Sequence, residues 1–345
     1  MGVDAALVEL FKAELKLCKV GPGETVSILS EGDVRADYAQ AFLLAAQQLG
    51  ASATHVNVLP FMTSQGFAGN MGKTALSGNR NAIEILKSSD IVIDLMFLLF
   101  SEEQLEITNS GTRMLLVLEP VEVLTRMFPD QDLRRRVEYG AQLLGSAKKL
   151  HITSSAGTDI TYRLGNYPVI TEYGYTDEPG RWDHWPSGFL FTGGDDEGVD
   201  GTVVLAPGDI ICAFRRYVEN PVKFTIERGL VTKIEGKGLE AALLENYMDS
   251  FNDSRAYAVS HIGWGLNNLA DWHHMAVANP QEEIGMDALS FYGNVLFSTG
   301  PNKELGGKND TPCHLDMPLR DCSLYLDDTE IVRNGSIVPS EMKVT

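Results

Sequence analysis

"SSAGTDITYRLG" (Ser154–Gly165) marks the point where the character of the chain changes. Upstream, apolar runs of strand length alternate with amphipathic segments of helix length, the pattern of βα units around a mostly parallel sheet. Downstream, short alternating strands follow one another through tight turns, as in a hairpin-rich α+β domain. Within the stretch, turn-forming Gly157-Thr158-Asp159 precedes the alternating Ile160 and Tyr162, which reads as a hairpin joining two domains. The expected division is therefore an α/β domain over 1–155 and an α+β domain over 156–345.

Working toward the N-terminus, the expected strands are Thr25–Ser30, Thr54–Leu59, Asp90–Leu95, Arg113–Leu118 and Lys149–Ser154. "ADYAQAFLLAAQQLG" (Ala36–Gly50) and "DLRRRVEYGAQLLGSA" (Asp132–Ala147) carry helical apolar spacing, and Asp4 is placed to cap a first helix. After the first strand, "SEGDVRADY" (Ser30–Tyr38) lacks the glycine spacing of a dinucleotide loop. "MFLLFSEEQ" (Met96–Gln104) ends a parallel strand, where ligands of open sheets collect; Leu99 and Phe100 are candidates to close a pocket, Met96–Leu98 to be sheet core. Toward the C-terminus, "VKFTIERGLVTKIEG" (Val222–Gly236) puts Val222, Phe224 and Ile226 on one face, turns at Arg228-Gly229 and returns with Leu230 and Ile234. "LYLDDTEIVRNGSIV" (Leu324–Val338) repeats the device at Asp327-Asp328 and Asn334-Gly335.

Composition removes several functions. With 28 Lys plus Arg against 47 Asp plus Glu, a formal charge of -19, the surface repels nucleic acid and anionic membranes. The 4 cysteines show no Cys-x-x-Cys spacing and fit a reducing compartment, so a cytoplasmic protein is expected. The greasiest run, Ile91–Phe100, contains Asp94 and is too short to span a bilayer.

The chemistry gathers in "TPCHLDMPLRDC" (Thr311–Cys322). Side chains two apart on an extended segment share a face, so His314 and Asp316 aim together. Alone, the pair fits a mutual hydrogen bond as well as a metal. A third ligand must come from elsewhere. His55 and His151 fall in expected core strands, and the adjacent His273 and His274 diverge on a helix. That leaves His184 in "GRWDHWPSGF" and His261 in "SHIGWGLN", the latter beside glycines that let backbone approach a ligand or another segment closely. His261, His314 and Asp316 together make the two-imidazole, one-carboxylate set that suits non-haem Fe(II).

"TEYGYTDEPGRWDHWPSGFLFT" (Thr171–Thr192), "SHIGWGLN" (Ser260–Asn267), "FYGNVLFSTGPNKELGGK" (Phe291–Lys308) and "TPCHLDMPLRDCSLYLDD" (Thr311–Asp328) resemble the 2,5-dihydroxypyridine 5,6-dioxygenases of bacterial nicotinate and nicotine breakdown, and the resemblance runs along essentially the whole chain. It implies an Fe(II) held by His261, His314 and Asp316, a small aromatic N-heterocycle and O₂ as substrates, and C5–C6 ring opening to N-formylmaleamate. It also implies a pocket containing Glu172 and His184, the candidate catalytic bases. Tyr173 and Tyr175 read either as substrate hydrogen-bonders or as alternating strand residues, and Ser298 and Thr299 either as pocket lining or as turn-formers ahead of Gly-Pro. A homo-oligomer is expected. The family is distantly similar to the M29 metallo-aminopeptidases, which share a late His-x-Asp and the "GTDITYRLG" stretch but bind two metals and place Glu where this sequence has His261. A two-metal aminopeptidase is thus the rival reading.

Overall fold

A computed structural model describes residues 3–60, 71–279 and 284–345. The described chain forms two compact units, one of 3–60, 71–129 and 173–186, the other of 130–172, 187–279 and 284–345. The chain therefore passes between them near 129, 172 and 186 rather than once near 155.

The first unit carries a five-stranded parallel sheet in the order Ser52–Val58, Thr25–Glu31, Ile91–Asp94, Arg113–Val117, Trp182–Trp185. Its central strands are buried along nearly their whole length, as parallel strands covered by helices must be. The helix Ala5–Leu17 begins where Asp4 accepts from the Ala6 N–H at 2.8 Å. It buries Leu7, Val8, Phe11 and Leu15, and Phe11 stacks on Phe42 of the helix Ala36–Gln48 with ring centres 3.9 Å apart. Each such side chain taken from water contributes roughly 1.5–3 kcal/mol. Met96–Leu98 lie beyond the third strand, which stops at Asp94, yet Leu98 is fully buried in the apolar cluster of Leu29, Val92 and Met114, and Met96 packs against it. The Asp94 carboxylate accepts from the Met96 and Leu98 N–H groups at 2.9 and 2.7 Å and so turns the chain out of the sheet.

Lys149–Ser154 does not join this sheet. Only four residues separate it from Asp159–Arg163, too few for a parallel crossover, so the two pair as an antiparallel hairpin in the second unit. That hairpin lies inside an eight-stranded sheet flanked by the predicted ones. Arg228-Gly229 and Asn334-Gly335 turn with positive φ at both residues (50° and 77°; 46° and 77°), as two-residue hairpins require. In the first of these the register slips between Thr225 and Ile226, so Val231 rather than Leu230 faces inward, and Leu230 is 46% exposed. The second unit also holds a five-stranded antiparallel sheet in the order Leu315–Leu319, Val295–Thr299, Val259–Gly265, Phe189–Gly193, Ile170–Glu172. The helix Gln131–Ser146 packs on it through Gly140, where an added Cβ would meet Leu190, Met342 and Trp264 at 3.0–3.3 Å. No described helix is long and apolar enough to cross a membrane.

Candidate metal centre

This antiparallel sheet brings the ligand candidates together by a local defect. Along Val259–Gly265, Trp264 pairs with Val295, Gly263 with Leu296 and Ile262 with Phe297, yet the next pair is Val259 with Thr299. Ser260 and His261 thus oppose the single residue Ser298, a bulge that re-aims the His261 side chain. Ser298 Oγ completes the interrupted ladder: it accepts from the His261 N–H and donates to the His261 carbonyl, both at 2.8 Å. On its other side Ser298 pairs with Asp316. His261 and Asp316 therefore stand on strands two apart, roughly 10 Å between backbones, with one small residue between them. Their side chains reach across it.

The contact is symmetrical. Asp316 Oδ1 lies 3.1 Å from His261 Nε2 and Asp316 Oδ2 3.0 Å from His314 Nε2. One ligand atom from each residue falls within 4.8 Å of the others, and both imidazoles are buried. His314 Nδ1 is 3.2 Å from the Thr299 carbonyl, which only accepts, so Nδ1 carries a proton and Nε2 is the ring atom turned toward Asp316. Gly300 permits this approach: its φ is 118°, and a Cβ there would sit 2.1 Å from the Cys313 carbonyl.

Burial alone would push the His261 imidazole down, but the carboxylates of Asp316 and Glu304 lift it to about 9. Burial would likewise raise Asp316, yet His314 and His261 hold it far below the usual carboxylate range. Such a field attracts a cation, and a metal there competes with protons. Two inward Nε2 atoms and an ionised carboxylate, with a second partner on each ring's far nitrogen, fit a divalent transition metal. Phe191 closes one side, its ring centre 4.7 Å from that of His261, and joins an apolar cluster with Phe189, Leu296 and Leu305.

The two candidate bases fall in different compact units. Glu172 ends its strand and pairs with Phe189, four residues along from Gly193, the partner of His261 (193 minus 189). It is buried, and its Oε2 accepts from Ser187 Oγ at 3.0 Å. His184 sits in the parallel strand Trp182–Trp185, which is pinned by Asp183: that carboxylate accepts from the Tyr173, Gly174 and His184 N–H groups at 3.1, 2.9 and 2.8 Å. Tyr173 and Tyr175 lie beyond the strand that ends at Glu172, buried with ring centres 4.9 Å apart.

Burial lowers His184 to about 3, so the ring is neutral at neutral pH. A folded state that takes up this proton later than the unfolded chain, whose ordinary value is 6.5, loses stability as pH falls below 6.5. Between pH 7.5 and pH 5 this group costs about 2 kcal/mol. Asp94 and Asp209, raised to about 6 mainly by burial, work in the opposite direction. The wild-type minus His184→Gln difference in unfolding free energy isolates the histidine. It should shift by about 2 kcal/mol over that interval; an unchanged difference would show that the imidazole titrates normally.

Glu304 escaped the sequence reading. It lies in the quoted Phe291–Lys308 segment, but a Lys-Glu pair ahead of Gly-Gly looks like a solvated turn. Its carboxylate is instead buried 3.5 Å from His261 Nδ1.

Residues 6–339 match the family described as 2,5-dihydroxypyridine 5,6-dioxygenase. A 2,5-dihydroxypyridine 5,6-dioxygenase of Pseudomonas putida KT2440 is 46% identical over 342 residues, 98% of this chain and 97% of its own. The solved structure of the 2,5-dihydroxypyridine dioxygenase from the same strain superposes with a TM-score of 0.96, covering 99% of this chain and 100% of that one. Wild-type AmpT from Thermus thermophilus shares the fold at 13% identity, with a TM-score of 0.68 over 96% of this chain and 99% of its own. Matched over nearly its full length by both sequence and structure, this chain belongs to the 2,5-dihydroxypyridine 5,6-dioxygenase family.

Proposed function

We propose that the protein is a non-haem Fe(II) dioxygenase that opens 2,5-dihydroxypyridine between C5 and C6 with O₂, giving N-formylmaleamate, and that His261, His314 and Asp316 hold the iron. The observation that carries this is the convergence of two buried histidine Nε2 atoms on the two oxygens of one half-buried carboxylate, in a chain of this family. A facial set of three ligands leaves positions for substrate and O₂, and the iron supplies the redox chemistry that dioxygen needs to react with an electron-rich ring.

The remaining tasks fall to the chain. Asp316 supplies the negative charge that balances the cation, while Thr299 fixes the tautomer of His314. The cluster of Phe189, Phe191, Leu296 and Leu305 keeps water from one side of the centre and offers an apolar surface to an aromatic ring. Glu172 and His184 are each proposed to take or hold a ring hydroxyl proton. At about 3, His184 is a weak base and a good hydrogen-bond acceptor, and its buried Nε2 has no hydrogen-bond partner among the described residues, so a substrate hydroxyl would complete it. A cytoplasmic homo-oligomer belongs to the same proposal, and light scattering checks the subunit number.

The test is anaerobic reconstitution with Fe(II), followed by 2,5-dihydroxypyridine and oxygen, recording ring absorbance and O₂ uptake together. Loss of the ring band with equimolar O₂ consumption is expected. Intact metal binding without uptake, or peptide turnover with Zn(II) or Co(II), would favour the aminopeptidase reading.

A further inference from the structure

We propose that Glu304 is a positioning residue for the metal centre: its carboxylate accepts a hydrogen bond from the Nδ1–H of His261 and so keeps the Nε2 lone pair for the metal. This rests on the iron reading above and assigns a role to a residue outside the ligand set. The geometry separates the two sides of the imidazole. Nε2 faces Asp316 at 3.1 Å, and Nδ1 faces Glu304 Oε1 at 3.5 Å. Both Glu304 oxygens are shut off from solvent, and no hydrogen-bond donor within ordinary geometry serves them among the described residues. A buried carboxylate without donors is strongly disfavoured, so the adjacent imidazole N–H is its natural counterpart.

The loop is built to deliver that one side chain. Glu304 lies in the short helical turn Lys303–Leu305, whose Leu305 enters the apolar cluster while Lys303 pairs outward with Asp310 at 2.8 Å. Asn302 braces the loop from within. Its carbonyl accepts from the Leu305 and Gly307 N–H groups at 3.1 and 2.9 Å, and its side-chain oxygen accepts from the Asn309 N–H at 2.9 Å. A Cβ at Gly307 would lie 2.1 Å from the Asn302 side-chain amide, so a larger residue there would push this brace aside. Ser260 Oγ is the competing acceptor, 3.4 Å from Nδ1: its own hydrogen goes to the Pro301 carbonyl, so toward Nδ1 it too can only accept. A carboxylate is the stronger acceptor for this donor. An outer carboxylate of this kind orients the ligating ring and raises its basicity.

The test measures Fe(II) dissociation constants under anaerobic conditions, and Co(II) d–d spectra, for wild type, Glu304→Gln, Ser260→Ala and His314→Ala. Glu304→Gln should weaken Fe(II) binding about 10–100-fold and shift the Co(II) bands, with apoprotein melting little changed. Ser260→Ala should stay within about threefold, below that range. Equal affinity and identical Co(II) spectra for wild type and Glu304→Gln, or a larger loss in Ser260→Ala, would overturn the role of Glu304. If His314→Ala binds Fe(II) as wild type does, the metal site itself is misplaced, a separate failure. Should the Glu304→Gln protein not fold, Glu304→Asp replaces it: a measurable loss supports the proposal and unchanged affinity overturns it.

Discussion

Asp316→Asn is expected to abolish stoichiometric iron binding and lower turnover by about 1,000-fold or more, because loss of an outer partner alone costs 10–100-fold and a ligand should cost more. Asp316 is the residue the two imidazoles share, with one oxygen 3.1 Å from His261 and the other 3.0 Å from His314. The amide removes the only negative charge in the three-residue set and points an NH₂ group at one of the two imidazoles. Because the replacement is nearly isosteric, the sheet register Ser298 to Asp316 should survive, and near-UV circular dichroism should match wild type. His261→Ala and His314→Ala should lose metal and turnover to a similar degree. An Asp316→Asn protein that kept both full iron and full rate would remove Asp316 from the ligand set.

Gly263→Ala carries the second large effect, this time on the fold. Gly263 pairs with Phe191 and Leu296 in the middle of the sheet, and a Cβ there would stand 1.9 Å from the Leu190 carbonyl oxygen. The Cβ is fixed by its own backbone and every atom it meets is backbone of the neighbouring strand, so no side-chain rotation relieves the clash. The strands must separate or shift. Destabilisation of about 4 kcal/mol or more is expected, at the upper end of single-substitution effects. Since His261 is two residues away on the same strand, iron affinity should fall as well. Urea unfolding of the apoprotein measures the first effect; a loss below about 1 kcal/mol would show that the strands are not so closely apposed.

These two residues also show how far the sequence could be read. The spacing of His314 and Asp316 carried real geometry, because alternation within one strand is a local property. The turns at Arg228-Gly229 and Asn334-Gly335 were legible for the same reason. The glycines after His261 announced a close approach, but whether to a ligand or to another segment was open; at Gly263 it is the Phe189–Gly193 strand. Features set by distant partners were not legible. The bulge that aims His261 depends on Ser298, 37 residues away, whose hydroxyl bonds both backbone groups of the histidine. Lys149–Ser154 has the composition of a parallel core strand, yet its short turn to Asp159 commits it to a hairpin, and Trp182–Trp185 takes the edge place in the parallel sheet. Glu304 looks like a solvated charge until the fold buries it.

The central claim is that a single iron sits where His261, His314 and Asp316 converge. The most direct measurement is an anomalous difference map, recorded on either side of the iron absorption edge, from crystals grown or soaked anaerobically with Fe(II). One peak is predicted, at about 2.0–2.2 Å from both Nε2 atoms and an Asp316 oxygen. A peak elsewhere, or a pair of metals about 3.5–4 Å apart, would contradict the account, and the pair would favour the two-metal hydrolase.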